Sequence, residues 1–176
     1  MSNQIVITGR LSFPHLFTAS AFQPGQEPKF DCTVIMENDH ACVARLRKAI
    51  DGVIKEKWPK GAPASLKVGL RDGAEKDLDG YGAGRCFLSA KSKTRPTIID
   101  RDKTPLAEED GKLYPGCWVN AIVTPWAQDN NYGKRVNFNL LLVQFVKDDE
   151  PFGDSVQADT SLLPDLEPED AASLLD

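Results

Sequence analysis

Only one stretch of this chain repeats its apolar residues with a helical period. Val43, Leu46, Ile50, Val53 and Ile54 recur every three or four positions, which gathers them on one face of a helix. Asn38 or Asp39 is the expected N-cap, and Pro59 stops the helix because it has no N–H to donate to the preceding turn. The opposite face, with Arg45, Lys48 and Lys55, reads as a solvated surface. With a single helix in 176 residues, most of the core must be built from strands.

Those strands are legible as β-branched or alternating runs at residues 4–11, 30–36, 86–90, 97–99, 117–126 and 136–146. The first is expected to end before Pro14 and to pair with the second as a hairpin across the Pro24-Gly25 turn. In the run 117–126, Trp118, Asn120, Ile122 and Thr124 point one way, and Val119, Ala121 and Val123 the other. The last strand should be mostly buried along 140–143, and residues 60–85 read as a long loop. The sum is a mainly β body, an elaborated five-stranded Greek-key barrel of the oligonucleotide-binding type with one prominent α-helix, and a sandwich stays open as the alternative.

Apolar residues are 41% and charged residues 27%, ordinary globular usage, which excludes collagen-like, mucin-like and wholly disordered classes. The longest aliphatic run, residues 140–143, is far shorter than the ~20 apolar residues of a membrane-spanning helix, so no membrane role is expected. The opening residues lack the charged and then apolar order of a secretory signal, which makes the cytoplasm the expected location, with reduced thiols. Cys32, Cys42, Cys86 and Cys117 form no C-x-x-C pair, and the grouping of Cys32, His40 and Cys42 matches no familiar metal spacing. No metal or cofactor is expected.

Charge divides the chain more sharply than composition does. Residues 147–176 set Lys147 against ten carboxylates, a balance of −9, while residues 1–146 keep 20 of 21 bases and 16 of 26 acids, a balance of +4. We therefore separate a folded domain, 1–146, from an acidic tail, 147–176. Pro151, Pro164 and Pro168, with no ring after Phe152, leave the tail too little apolar surface to repay ordering, so it is expected to be disordered. It either confers solubility or occupies a polyanion-binding surface when ligand is absent. Leu162, Leu163, Leu166, Leu174 and Leu175 among its acids suit docking to a basic, apolar pocket of a partner.

Residues 85–103 hold Arg85, Lys91, Lys93, Arg95, Arg101 and Lys103 against Asp100 and Asp102. Tyr81 precedes this stretch and Phe87 lies within it, and Trp118, Trp126, Tyr132 and Phe138 follow. Cations neutralise phosphates, and rings stack on unpaired bases at about 1–3 kcal/mol each without demanding a sequence, so the combination suits single-stranded nucleic acid. Phe87 and Phe138 alternate with aliphatics and read as core. Tyr81, Trp126 and Tyr132 adjoin glycine-rich or polar loops and are expected to be exposed, while Trp118 fits either role. Lys91, Lys93 and Arg95 lead among the bases, and Lys134 with Arg135 makes a second patch.

The glycines around Tyr81 match neither G-x-G-x-x-G nor G-K-[ST], so they read as a flexible loop beside a ligand or as a plain linker. Asp77 with Asp79, and Asp100 with Asp102, are two apart and would share a face on an extended chain, which keeps a magnesium-dependent nuclease as an alternative. A further alternative is an adaptor whose tail docks other proteins and whose body binds no nucleic acid. Self-association stays open.

The segments Leu70-Arg71-Asp72-Gly73, Tyr81-Gly82, Phe87-Leu88-Ser89-Ala90-Lys91-Ser92-Lys93-Thr94-Arg95-Pro96, Tyr114-Pro115-Gly116-Cys117-Trp118-Val119-Asn120-Ala121 and Leu140-Leu141-Leu142-Val143-Gln144 resemble phage single-stranded-DNA-binding proteins. The resemblance implies a non-enzymatic protein with an oligonucleotide-binding fold that coats unpaired DNA during phage replication or recombination. It also implies an acidic tail that contacts replication proteins.

Overall fold

The computed structural model describes residues 3–21, 23–153 and 160–166. The order is β1 (Ile5–Ser20), β2 (Lys29–Glu37), α1 (Ala41–Lys57), β3 (Lys67–Val68), β4 (Arg71–Asp72), β5 (Arg85–Ser92), β6 (Thr97–Ile99), β7 (Trp118–Asn130) and β8 (Gly133–Lys147). The sheet runs β8-β7-β1-β2-β5, and β5 returns to β8 through one parallel pair, Lys91 against Asn139, closing a barrel. Among these five strands β5 and β7 are successive but not neighbours, so the chain crosses over between them as a Greek key does. The short β3, β4 and β6 fill in around this frame. No helix of the described residues is long and apolar enough to cross a membrane.

The interior follows the pleat. Val119, Ala121 and Val123 are fully buried, while Trp118, Asn120, Ile122 and Thr124 on the outer face keep partial exposure, as their alternation predicts. The continuous burial expected at 140–143 is corrected to alternation. Leu140 and Val143 are buried but Leu141 is exposed, because the β7–β8 register shifts between Ile122 and Val123 and skips Leu141. Strand β1 also runs past its expected end. The β1–β2 ladder is irregular between Ser12 and His15, where Phe13 takes φ 45°, so Pro14 has no ladder bond to lose.

Helix α1 buries Cys42, Val43, Leu46 and Ile50, packing on β1, β7 and β8. Its N-cap is His40 rather than Asn38 or Asp39: the chain needs a turn after β2, closed by His40 N donating to Glu37 O, before the imidazole Nδ1 can accept from Cys42 N at 3.0 Å. The stretch expected to be a plain loop also carries structure. β3 lies parallel to β8 and β4 antiparallel to β5, so residues 67–72 bridge the part of the barrel where β5 and β8 do not pair.

Residues 147–153, grouped with the tail on charge alone, continue from β8 and pack against the body. Trp118 Nε1 donates to Asp149 Oδ2 at 2.8 Å, Tyr114 Oη to Asp148 Oδ1 at 3.0 Å, and Phe152 N to Pro115 O at 3.0 Å. The Phe152 ring seals a small cluster of Ile35, Tyr81 and Phe87 on the outer barrel face. Glycine makes room for this strap: a Cβ on Gly116 would lie 2.5 Å from Glu150 O, and one on Gly80 2.2 Å from the Phe152 ring. Most of the tail expected to be disordered, residues 154–159 and 167–176, lies outside the described residues; Leu162, Leu163 and Leu166 are exposed.

Candidate nucleic-acid interface

Past the Lys91–Asn139 contact, β5 and the β7–β8 hairpin diverge and leave a groove of about 710 Å³. One wall is Ser89, Lys91, Ser92 and Lys93, with Lys29 of β2 beside them. The other is Trp126, Gln128, Tyr132, Arg135, Asn137 and Asn139, and Phe138, 2% exposed, forms the floor. Four cations therefore line the groove and, among the described residues, no carboxylate does, although Glu27 Oε2 stands 4.0 Å from Lys93 Nζ.

The strand register explains this convergence. Odd positions 89 and 91 of β5 face outward because Leu88 and Ala90 fill the interior. Trp126 stands opposite Asn137, and Gln128 opposite Arg135, at the end of a hairpin whose two-residue turn projects Tyr132. Tyr132 is 84% exposed and Trp126 40%, so both rings are open to a ligand. The hairpin is stiffened by Asn137 Nδ2 donating to Gln128 Oε1 at 2.6 Å and by Asn130 Oδ1 accepting from Tyr132 N at 2.9 Å. Asp31, the register partner of Lys91, is engaged by His15 Nδ1 at 2.7 Å.

The structure thus brings together Lys91, Lys93, Arg135, Trp126 and Tyr132 of the residues singled out from sequence. The others lie elsewhere. Tyr81, expected to be exposed, is 6% exposed: its ring meets Phe87 edge-on at 5.0 Å and its hydroxyl donates to Ser12 Oγ at 3.0 Å. Burial pushes its phenol pKa up. The glycine-rich loop is therefore a cover over an apolar patch, not an open platform.

Arg85 is a structural clamp, with Nε 3.2 Å from Glu37 Oε1 and Nη1 donating to the Gly80 and Tyr81 carbonyls. Arg95 turns away from the groove, Nη2 donating to Phe17 O at 2.8 Å with the Phe30 ring 6.0 Å beneath it. Arg101 and Lys103 occupy the turn after β6, where the Arg101 carbonyl accepts from Gln144 Nε2. Lys134 stands opposite Asp129 across the hairpin. Trp118 sits by the strap, under Lys147 Nζ at 5.0 Å.

Sequence reasoning missed Lys29, Gln128, Asn137 and Asn139. Asn137 and Asn139 alternate with buried neighbours in β8, a signal present in the pattern, but Gln128 is placed by the β7–β8 register and Lys29 reaches the groove only through the β2–β5 pairing.

Three of the four paired aspartates, Asp79, Asp100 and Asp102, are committed to local structure. Asp79 Oδ2 accepts from Gly153 N, Asp102 caps Thr104, and Asp100 is held by Lys112 and the Arg101 amide. The Lys112 hydrogen bond holds the Asp100 carboxyl below the usual range, and Thr104 does the same for Asp102. Among the described residues no three His, Cys, Asp or Glu side chains gather as metal ligands. Cys42 and His40 do not converge with Cys32, because the imidazole caps α1 while the Cys42 thiol faces Thr8 O.

The barrel and its basic, ring-lined groove define a mainly β oligonucleotide-binding-type fold. The chain belongs to the family described as the single-stranded-DNA-binding protein of Enterobacter phage Enc34, whose model matches residues 3–172. Protein p50 of Acyrthosiphon pisum secondary endosymbiont phage 1 is 36% identical over 153 residues, covering 81% of this chain and 82% of that one. The single-stranded DNA-binding protein from bacteriophage Enc34, solved in complex with ssDNA, superposes with TM-score 0.73 at 34% identity, over 86% of this chain and 90% of that one. The single-stranded DNA binding protein gp2.5 of bacteriophage T7 shares the fold, with TM-score 0.60 at 14% identity, over 88% and 98% of the two chains.

Proposed function

We propose that this protein binds single-stranded DNA with little sequence preference, coating it without chemistry during phage replication or recombination. The observation that carries this reading is the groove, in which Lys29, Lys91, Lys93 and Arg135 face two exposed rings and, among the described residues, no carboxylate lines it. Cations there meet phosphates, Trp126 and Tyr132 stack on bases, and Asn137 and Asn139 accept whichever base edge is presented. Kinship with a phage single-stranded-DNA-binding protein solved on ssDNA supports it.

In this reading the acidic segment after Gly153 competes with DNA for the same cations and recruits replication or recombination proteins through its leucines. The strap to Gly153 is part of the folded body. Oligothymidine affinity measured against salt tests the mechanism: a log–log slope of roughly −0.7 per phosphate contact is expected, and a flat dependence refutes it. Removing residues 154–176 should tighten binding at low salt; unchanged affinity refutes competition by the tail.

A further inference from the structure

The groove continues past Arg135. A second hollow of about 510 Å³ shares Arg135 and Asn137 with it and adds Lys67, Gly69, Leu70 and Arg71 from the bridge between β8 and β5. Lys67 and Arg135 are register partners in the parallel β3–β8 pair, and both are exposed. Partners on adjacent strands about 4.8 Å apart project to the same side, and like charges so placed destabilise a sheet. Lys67 and Arg135 enter none of the ion pairs among the described residues.

The two carboxylates of the hollow are already engaged. Glu75 Oε2 is 2.7 Å from Arg71 Nη2, and Asp72 Oδ1 accepts from Ala74 N at 2.9 Å. The Arg71 guanidinium lies 5.6 Å over the Phe87 ring, a platform that positions the cation. The fold therefore keeps a repelling pair beside Arg71, a third cation held in place by Glu75 and the Phe87 ring, at the mouth of a groove that already suits a polyanion.

We propose that this hollow is a second subsite for the same DNA strand, Lys67 and Arg71 contacting phosphates after the strand leaves the groove and Arg135 serving both subsites. The inference rests on the groove being a DNA site. Among the described residues no exposed ring lines the hollow, so it takes sugar-phosphate backbone rather than stacked bases, and its contribution depends on strand length and salt.

The test uses the full chain and its Lys67→Ala and Lys67→Ala/Arg71→Gln variants, titrated with oligothymidines of increasing length at several salt concentrations. A short oligomer that fills only the groove should bind parent and variants alike. Beyond a threshold length the variants should bind more weakly, with a salt slope shallower by about 1.4 for the two lost contacts. Lys67→Ala alone should melt no lower than the parent, since it relieves the repulsion with Arg135. Equal affinity at every length, or equal loss at every length, overturns the second subsite while leaving the groove reading in place. A parent that binds no oligomer of any length overturns both.

Discussion

The guanidinium of Arg10 lies 4.3 Å over the ring of Phe152, and its Nη2 donates to the Glu150 carbonyl at 2.7 Å. One side chain of β1 thereby fastens the strap that follows β8, while the Phe152 ring closes the cluster of Ile35, Tyr81 and Phe87. The acidic residues nearest the body are structural, so the boundary between fold and tail follows packing rather than charge.

Truncation should expose that boundary. Ending the chain after Gly153 should leave the urea midpoint unchanged, whereas ending it after Val146 should lower it. Phe152→Ala should cost about 2 kcal/mol, less than a fully buried ring would because Phe152 is only partly covered.

The division of the cations is testable by salt dependence. Lys91→Ala/Lys93→Ala should flatten the log–log slope of oligothymidine binding by about 1.4, while Arg95→Ala, whose guanidinium is tied to Phe17 O, should leave it unchanged. Trp126→Ala and Tyr132→Ala should each weaken binding by about 1–3 kcal/mol at fixed salt.

Tyr81→Phe separates core from interface. It deletes the hydroxyl that donates to Ser12 Oγ and should lower stability by about 1 kcal/mol, with DNA affinity unchanged. A loss of affinity at unaltered stability would place Tyr81 back among the binding rings.

Acid should loosen the strap. The Glu150 amide, the Trp118 indole and Arg10 hold the Asp149 carboxyl below its ordinary range. A depressed folded-state pKa stabilises the fold above the unfolded value of about 3.9, and that stabilisation is lost as pH falls through the folded value. In a chain with Trp58 and Trp126 replaced by Phe, Trp118 emission should change below about pH 4. The same chain carrying Asp149→Asn should lack that step.

The four cysteines should resist thiol reagents until the protein unfolds. All are buried, and Cys32 is pushed up to about 12 by burial and then by Asp31, so little nucleophilic thiolate forms at neutral pH. Rapid labelling of the native protein would contradict this.

How much was legible depended on the range of the forces involved. The face of α1 and the alternation of β7 could be read directly, because helical and strand periods are local and burial repeats with them. Lys91, Lys93, Arg135, Trp126 and Tyr132, chosen for residue type and nearby turns, share one groove in the structure. Tyr81 was misplaced because a glycine-rich loop looks open until Phe87 and Phe152 are set beneath and beside it. Arg85 and Arg95 lie outside the groove, bonded to backbone carbonyls, and an arginine that binds carbonyls has the same sequence signature as one that binds phosphates.

The sequence by itself determined the kind of each main element, the single helix, the basic body and the acidic end, since these depend on neighbours a few residues apart. Which cations share a groove, which rings remain exposed and where the body stops were decided by barrel closure. Closing β5 on β8 sets residues from distant parts of the chain within contact, and charge and packing act through those distances in space.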